Sequence, residues 1–592
     1  MLILHHFLLL LCYPQVENTA ENLGEVLSGD RIENSMYQLR MKKVDYCRVL
    51  CRRTYKDDDM ALFREKIDHE YRVNWIIDNL PAAIRVYDDE DPTAVHYDRG
   101  YPLGLIAEDP RPGNGKLFYI YNHIRFTIKY HEDPASFVGA RVVGFEVEPF
   151  SVKHQYKSWP SEGGATAAAA KLDTCNDAKL VEHTMEPQSV NEAGEIVWTY
   201  DVTWETSNIK WASRWDVFFN SAPDDHIHWF SIINSLMIVL FLTGMVAMIM
   251  MRTLHKDIAK YNEEQTAEEA QEETGWKLVH GDVFRPPKAS PILLSVMAGT
   301  GMQVFMMTCT LMVFAVLGFL SPANRGGLMT AMLLLFVFCG SFAGYYSSRL
   351  YKMFQGKAWK RNTLLTSFLY PGVMFLVFFV LNLLVWDQGS SAAVPFGTLF
   401  AIVVLWFGIS VPLAFLGSYF GFKKDEIKNP VRFNQIPRQV PEQAWYMNPV
   451  FSCLVGGILP FGAVFIELFF IMSSIWMHQI YYVFGFLAIV IFILIATCAE
   501  ITIVMCYFQL CSEDYHWWWR SFFTSGSSAL YLFLYSILYF YTKLEIVTRT
   551  GTVLYFGYMF IISSSFFLLT GTIGFLACFW FVRVIYGAIK VD

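Results

Sequence analysis

The hydrophobic pattern changes period part-way along the chain. From about residue 17 to residue 228 it repeats every second position. Over 195–205, Ile196, Trp198, Tyr200, Val202 and Trp204 share one side, and Thr199, Asp201 and Thr203 the other. Over 117–128, Phe118, Ile120, Ile124, Phe126 and Ile128 alternate with Tyr119, His123, Arg125 and Thr127. Tyr71, Val73, Trp75 and Ile77, and then Val143, Phe145 and Val147, repeat it. Successive side chains of a strand point to opposite faces, so the pattern predicts half-buried strands between Gly/Pro turns, an all-β, sandwich-like domain. One helix is expected near 59–67, with acidic residues at its start.

From residue 229 the alternation stops and long apolar runs take over. A span needs about 20 apolar residues to cross roughly 30 Å of hydrocarbon. Nine runs meet that need: 230–251, 292–320, 328–347, 363–386, 396–421, 453–476, 481–508, 521–541 and 555–582. The second and third are separated by the turn at 321–327, which carries Pro322 and Arg325, and the sixth and seventh by 477–480. The predicted fold is therefore a polytopic α-helical bundle of nine spans behind an N-terminal, lumenal β-rich domain. The expected organisation is a signal-peptide-like segment at 1–16, possible truncation included, a β-rich domain at 17–228 and a membrane domain at 229–592. The first segment has an apolar core but no preceding Lys or Arg and no small-x-small cleavage site after it.

Charge fixes the orientation. Residues 1–228 hold 24 Lys+Arg and 36 Asp+Glu, about 26% charged, and residues 229–592 hold 22 and 18, about 11%. The second part is too apolar for a water-soluble domain, and no basic block of the kind nucleic acid requires occurs, so nucleic acid is not an expected partner. With the β-rich domain in the lumen, the cytosolic gaps are 252–291, 348–362, 422–452, 509–520 and the tail from Arg583. They carry 19 Lys and Arg, against only Arg325, Lys543 and Arg549 on the other side. The positive-inside rule selects this topology, with a cytosolic C-terminus.

Candidate chemistry is sparse. No His-Glu-x-x-His, Gly-x-Ser-x-Gly, Walker loop or Cys-x-x-Cys occurs, and no Asn-x-Ser/Thr sequon. No catalytic residue, metal site or cofactor is expected. Glu467 and Glu500 lie inside the sixth and seventh runs. A carboxylate there costs a few kcal/mol, so each should face the bundle interior, as a relay for protons or substrate or as a structural tie between helices. By residue count they lie at different depths, which argues against direct pairing. Pro371, Pro412 and Pro460 interrupt spans, as kinks or as broken helices lining a site. Gly456-Gly457 points to close helix packing. Trp517, Trp518 and Trp519 suit an interfacial aromatic belt. Of the 11 Cys, only Cys47, Cys51 and Cys175 fall in the β-rich domain. A disulfide is permitted there, and the odd number leaves one thiol over or its partner missing.

Several long stretches resemble the nonaspanins, the transmembrane nine superfamily or endomembrane protein 70 family. They are Glu21-Asn22-Leu23-Gly24-Glu25-Val26-Leu27, Lys210-Trp211-Ala212-Ser213-Arg214-Trp215-Asp216, 275–287 with its Gly275-Trp276-Lys277 start and Arg285-Pro286-Pro287 end, Ile436-Pro437-Arg438-Gln439-Val440-Pro441, 460–467 and 512–520. The likeness runs over 21–592. Family members carry a longer lumenal beginning with a further Cys before the first stretch. About twenty residues precede it here, so the resemblance implies a missing strand and a missing disulfide partner.

The resemblance also implies a Golgi and endosomal membrane protein that sorts other membrane proteins or delivers them to the surface, above all those with Gly-rich spans. It implies no catalytic residue. Its partners would be that cargo, the lipid bilayer and the coatomer (COPI) coat. The coat would be engaged by the C-terminal Lys-x-Asp/Glu ending that Lys590 and Asp592 match. A secondary transporter or channel using Glu467 and Glu500, and a lipid-handling protein, are the alternatives.

Overall fold

The computed structural model describes residues 19–588 except 20, 88–94, 109–114, 135–136, 158, 160–171, 176–180, 220–224, 250, 252–254, 256–257, 260–274, 322, 391, 433, 477–483, 545 and 547. The signal-like segment at 1–16 and the tail residues Lys590 and Asp592 lie outside the described residues. By their contacts the residues form two compact units, one of Arg31–Pro223 and one of Glu21–Asp30 with Asp224–Asp592.

The first unit is β-rich. Strands β1 (Asp45–Tyr55), β2 (Ala83–Tyr87), β3 (Val95–Arg99), β4 (His123–His131), β5 (Arg141–Phe150) and β6 (Gly194–Thr206) form one sheet in the order β1-β6-β4-β5-β2-β3. β1 pairs antiparallel with β6, β4 antiparallel with β5, and β6 parallel with β4. The remaining strands make three two-stranded pieces, among them the hairpin of Gly104–Glu108 with Lys116–Ile120. The expected 117–128 strand thus breaks in two. Asn122 sits at the break, fully buried, with Nδ2 donating to the carbonyls of Val152 (2.8 Å) and Val197 (2.9 Å) and Oδ1 accepting from the Val152 amide.

Both faces of β6 are covered, which simple alternation does not anticipate. One face carries Ile196 and Trp198 into a core with Tyr55, Phe63 and Ile67. Phe63 and Ile67 belong to the expected helix, α2 (Asp57–Asp68). Its first turn holds Asp57, Asp58 and Asp59, which complement the positive helix N-terminus. The other face is roofed by Val152, Leu172, Cys175 and Val181, so Thr199 and Asp201 are buried rather than solvent-facing. Cys175 is pinned there by a disulfide to Cys47. Cys51 is disulfide-bonded as well, so no thiol of the three is left over.

The second unit is helical. Its first span, α3 (Asp225–Met248), is followed by α4 (Pro291–Val316), the pair α5 (Gly327–Phe338) and α6 (Gly340–Met353), and α7 (Trp359–Asp387). Next come α8 (Phe396–Leu405) and α9 (Val411–Lys423), joined by one wide π-type turn at Trp406–Ser410, then α10 (Pro449–Trp476) and α11 (Phe484–Cys511). The pair α12 (Trp517–Gly526) and α13 (Ser528–Lys543) and the long α14 (Arg549–Gly587) complete it. Eight of these helices or pairs are long and apolar enough to cross a membrane, and Ile232–Met248 is a shorter apolar helix in the position of the first expected span. The break near 321–327 falls where the sequence placed it, and the expected gap at 477–480 lies outside the described residues. Pro412 opens α9, whereas α7 and α10 continue through Pro371 and Pro460.

Lipid tails are as apolar as leucine, so helices in a bilayer associate through close packing and polar ties. Gly457 serves the first: a Cβ there would lie 2.1 Å from Ser527 Oγ. Asn362 serves the second, donating from Nδ2 to Ser347 Oγ at 2.7 Å, with Ser347 bonded on to Thr366.

The Glu-Asn-Leu-Gly-Glu-Val stretch forms α1 (Leu23–Ser28), and its contacts are with the helical unit although it precedes the β-rich one in sequence. Asn22 Oδ1 accepts from the Glu25 amide and Glu25 Oε2 from the Asn22 amide, a reciprocal cap. Gly29, at φ 88°, closes the other end. Asn22 donates to the Arg325 carbonyl (2.7 Å), the Gly24 amide to Thr330 Oγ1 (2.9 Å), and Glu25 lies 3.4 Å from the Arg325 guanidinium.

Candidate functional site

Three of the family-like stretches converge at the end of the bundle where α14 finishes, here called the tail side. The segment 276–289 buries Trp276, Val279, Val283 and Phe284 against Trp517, Trp518 and Tyr586. Each of the three consecutive tryptophans donates its indole N–H to this one segment: Trp517 to the Val283 carbonyl (2.9 Å), Trp518 to Arg285 (2.8 Å) and Trp519 to Ala289 (2.7 Å). The aromatic-belt expectation therefore fails for Trp517 and Trp518, which are 0% and 3% exposed. A buried indole needs an acceptor for its N–H, and the loop backbone supplies one.

The third stretch closes the assembly. Asp282 pairs with Arg285 and accepts from the Arg438 amide at 3.2 Å. Arg438 in turn reaches Glu513 Oε2 at 2.9 Å, and Tyr515 donates to the Arg438 carbonyl. The last span is tied in through Tyr586, whose hydroxyl donates to the Trp276 carbonyl at 2.7 Å.

Beside this platform lies a buried ion pair. Arg520 donates from Nη1 to Asp514 Oδ2 (3.2 Å), from Nε and Nη2 to Ser452 Oγ, and from Nη2 to the Met447 carbonyl (2.7 Å). Asp514 Oδ1 accepts from the His516 amide and faces His516 Nδ1, each at 3.0 Å, and Gln509 Nε2 donates to Oδ2. Burial pushes the Asp514 carboxyl up, but the bonds from His516 and Gln509 outweigh it and hold it below its ordinary value. The cluster ties α10, α11 and α12 together.

The two intramembrane carboxylates are placed on adjacent helices. Glu467, on α10, is 1% exposed. Glu500, on α11, accepts at Oε1 from Thr243 Oγ1 of α3 at 2.6 Å, and its Oε2 is buried without a hydrogen-bond partner. α3 also reaches α10, through Ser235 Oγ to the Ala463 carbonyl at 2.6 Å, so the first span bridges both carboxylate-bearing helices. Glu467 lies one-third of the way along α10 from Trp476, and Glu500 more than halfway along α11 from Phe484. The contacts of α3 with Ala463 and with Glu500 are eight residues apart, about 12 Å along that helix, so the two carboxylates sit at different depths.

The β-rich unit holds a polar cluster that alternation assigned to solvent. Thr199 Oγ1 bonds both His123 Nδ1 (2.7 Å) and His154 Nε2 (2.8 Å), and His123 Nε2 lies 3.2 Å from Asp201 Oδ2. Asp201 Oδ1 accepts from the Cys47 amide at 2.7 Å. Burial, helped by His123, pushes the His154 imidazole down to about 3, so it is neutral. His123, His154 and Cys175 have ligand-type atoms within 4.8 Å of one another, but the Cys175 sulfur is bonded to Cys47. Neither this cluster nor the disulfide pairing was legible from spacing.

Comparison with known proteins fits this architecture. The model of the family described as endomembrane protein 70 matches residues 4–550. The chain is 59% identical to transmembrane 9 superfamily member 10 of Arabidopsis thaliana, over 98% of this chain and 90% of that protein. It is 50% identical to transmembrane 9 superfamily member 2 of Mus musculus, over 97% and 86%, and 47% identical to member 4 of the same organism, over 98% and 90%. No solved structure matches. A whole-length match of this strength, on a β-rich unit followed by a multi-span helical bundle, means that the chain belongs to the transmembrane 9 superfamily, the endomembrane protein 70 family.

Proposed function

We propose that the protein is a non-enzymatic sorting factor of Golgi and endosomal membranes, with its β-rich unit in the lumen and its tail in the cytosol. It helps to localise other membrane proteins, including those with Gly-rich spans, and is itself retained through coatomer. The observation that carries this reading is the anchoring of the last span. Tyr586 is fixed to the Trp276 carbonyl inside the tail-side platform, and Asp592 is only six positions further on. An extended chain of that length spans at most about 21 Å, so Lys590 and Asp592 stay close to the membrane surface, where coats assemble. An ammonium two residues from a side-chain and a terminal carboxylate is a compact charge pattern that a complementary site can read. The 19-to-3 excess of Lys and Arg supports the cytosolic placement this needs.

The rival reading is a transporter or channel. Glu500, with one buried and unpartnered oxygen, favours it. The depth difference between Glu467 and Glu500, and the bond of Glu500 to Thr243, favour a structural tie instead. The test replaces Lys590 and Asp592 with Ser and follows steady-state location together with coatomer capture by the tail. Loss of Golgi residence and of capture is expected. Unchanged residence with unchanged capture refutes the retention role.

A further inference from the structure

A groove of about 510 Å³ runs along the outside of the helical unit between α10, α12, α13 and α14. Asp514, His516 and Arg520 border its tail-side end, and its exposed wall is almost wholly apolar. Val450, Phe523 and Leu530 line it and are exposed, by 69%, 44% and 46%. Gly526 also lines it, packed so closely that a Cβ there would lie 2.7 Å from the Phe567 ring.

From this geometry we infer that the groove is a specific site for one glycerophospholipid of the tail-side leaflet. One acyl chain lies along Val450, Phe523 and Leu530, and the phosphate sits at His516. Length is the first reason. Trp517 begins α12 at the membrane edge, and Leu530 is thirteen residues further on. At 1.5 Å per residue the groove reaches about 20 Å inward, against roughly 15 Å for one leaflet's half of the hydrocarbon core. It therefore runs from headgroup depth to about the bilayer centre, as a single acyl chain does.

Width is the second reason. A helix about 10–12 Å across would fill roughly 1,900 Å³ over the same length, well above the groove's whole open space of about 1060 Å³, so a client's span does not fit inside it. Chemistry is the third. Arg520 and Asp514 are committed to each other and to Ser452, Met447 and Gln509. His516 is 43% exposed, and its Nδ1 is held by Asp514, which leaves Nε2 to face a ligand. A ring N–H on that edge is a donor suited to a phosphodiester oxygen.

The test uses the full chain in vesicles of phosphatidylcholine doped with a phosphatidylcholine that carries a diazirine in one acyl chain. After photolysis, labelling is mapped by peptide mass spectrometry. Label concentrated on 449–454 and 519–530 is expected, falling at least five-fold in the groove-filling variants Val450→Trp and Leu530→Trp. Phe492, 73% exposed on α11, reports the background from surrounding lipid. His516→Ala should keep the peptide pattern but shorten the lifetime of a phospholipid retained through detergent purification. Monodispersity and melting temperature close to the parent's show that each variant is folded. Label no denser on the groove than at Phe492, or unaffected by both tryptophans, overturns the inference. So does capture of a client span at these residues in place of the lipid.

Discussion

Replacing Arg520 with Met removes four donated hydrogen bonds while keeping an unbranched side chain of similar length. The Asp514 side chain, only 12% exposed, would stay behind as a buried carboxylate. It would keep the His516 and Gln509 contacts, but the Met447 carbonyl would lose its donor. Removing one partner of a buried pair costs about 3–5 kcal/mol. Because Asp514 keeps other donors, the expected loss is near the lower figure, about 3 kcal/mol. Neutralising the survivor should recover part of it, so Arg520→Met with Asp514→Asn should be roughly 1–2 kcal/mol more stable than Arg520→Met alone. The assay is reversible unfolding of the full chain in mixed micelles by a titrated denaturing detergent, with tryptophan emission as the readout. Trp517 and Trp518, buried next to the pair, report the transition. A single-variant loss below about 1 kcal/mol, or a double variant no better than the single, would mean that the pair does not hold α10, α11 and α12 together. The pH dependence has a definite sign. The Asp514 value is lowered in the fold, so its contribution is full above the ordinary value of 3.8 and is lost as pH falls below it.

His154 titrates in the opposite setting, as a base that the fold keeps neutral. Its value falls from 6.5 to about 3, so its contribution is full above pH 6.5 and is lost progressively as pH falls. The β-rich unit should give up roughly 2 kcal/mol between pH 6.5 and 5. Protease resistance of that unit in the full chain, measured across this range, should flatten in His154→Gln, and an unchanged profile would refute the assignment. Gly24→Val should expel α1 from the helical unit, since a Cβ there would lie 1.9 Å from the Gly326 carbonyl oxygen. A cysteine introduced at Leu27 should then react faster with a thiol reagent, and equal rates would show that α1 stays docked.

The spans were legible because twenty-residue apolar runs leave little choice, and so were the breaks at 321–327 and Glu467's burial. The partners of the buried groups were not. Thr199 and Asp201 read as the wet side of a strand because the residues that cover them, Val152, Leu172, Cys175 and Val181, lie in irregular chain with no period of its own. Trp517 and Trp518 read as membrane anchors because composition does not reveal that loop carbonyls 234 and 233 residues away are waiting for their N–H groups. The stretches that carried the family likeness proved to be those whose backbone and side chains lock to one another on the tail side.

The docking of α1 also imposes an order on synthesis. Asn22 finds its acceptor on Arg325, 303 residues later in the chain. At about 5–20 residues per second, roughly 15–60 s of translation separate the two. During that interval the whole β-rich unit is made and can fold, while its leading segment still lacks the helix it will rest on. The α1 segment is therefore an unsatisfied end available to an assembly factor until the third span is inserted, and its burial reports that insertion has reached that point.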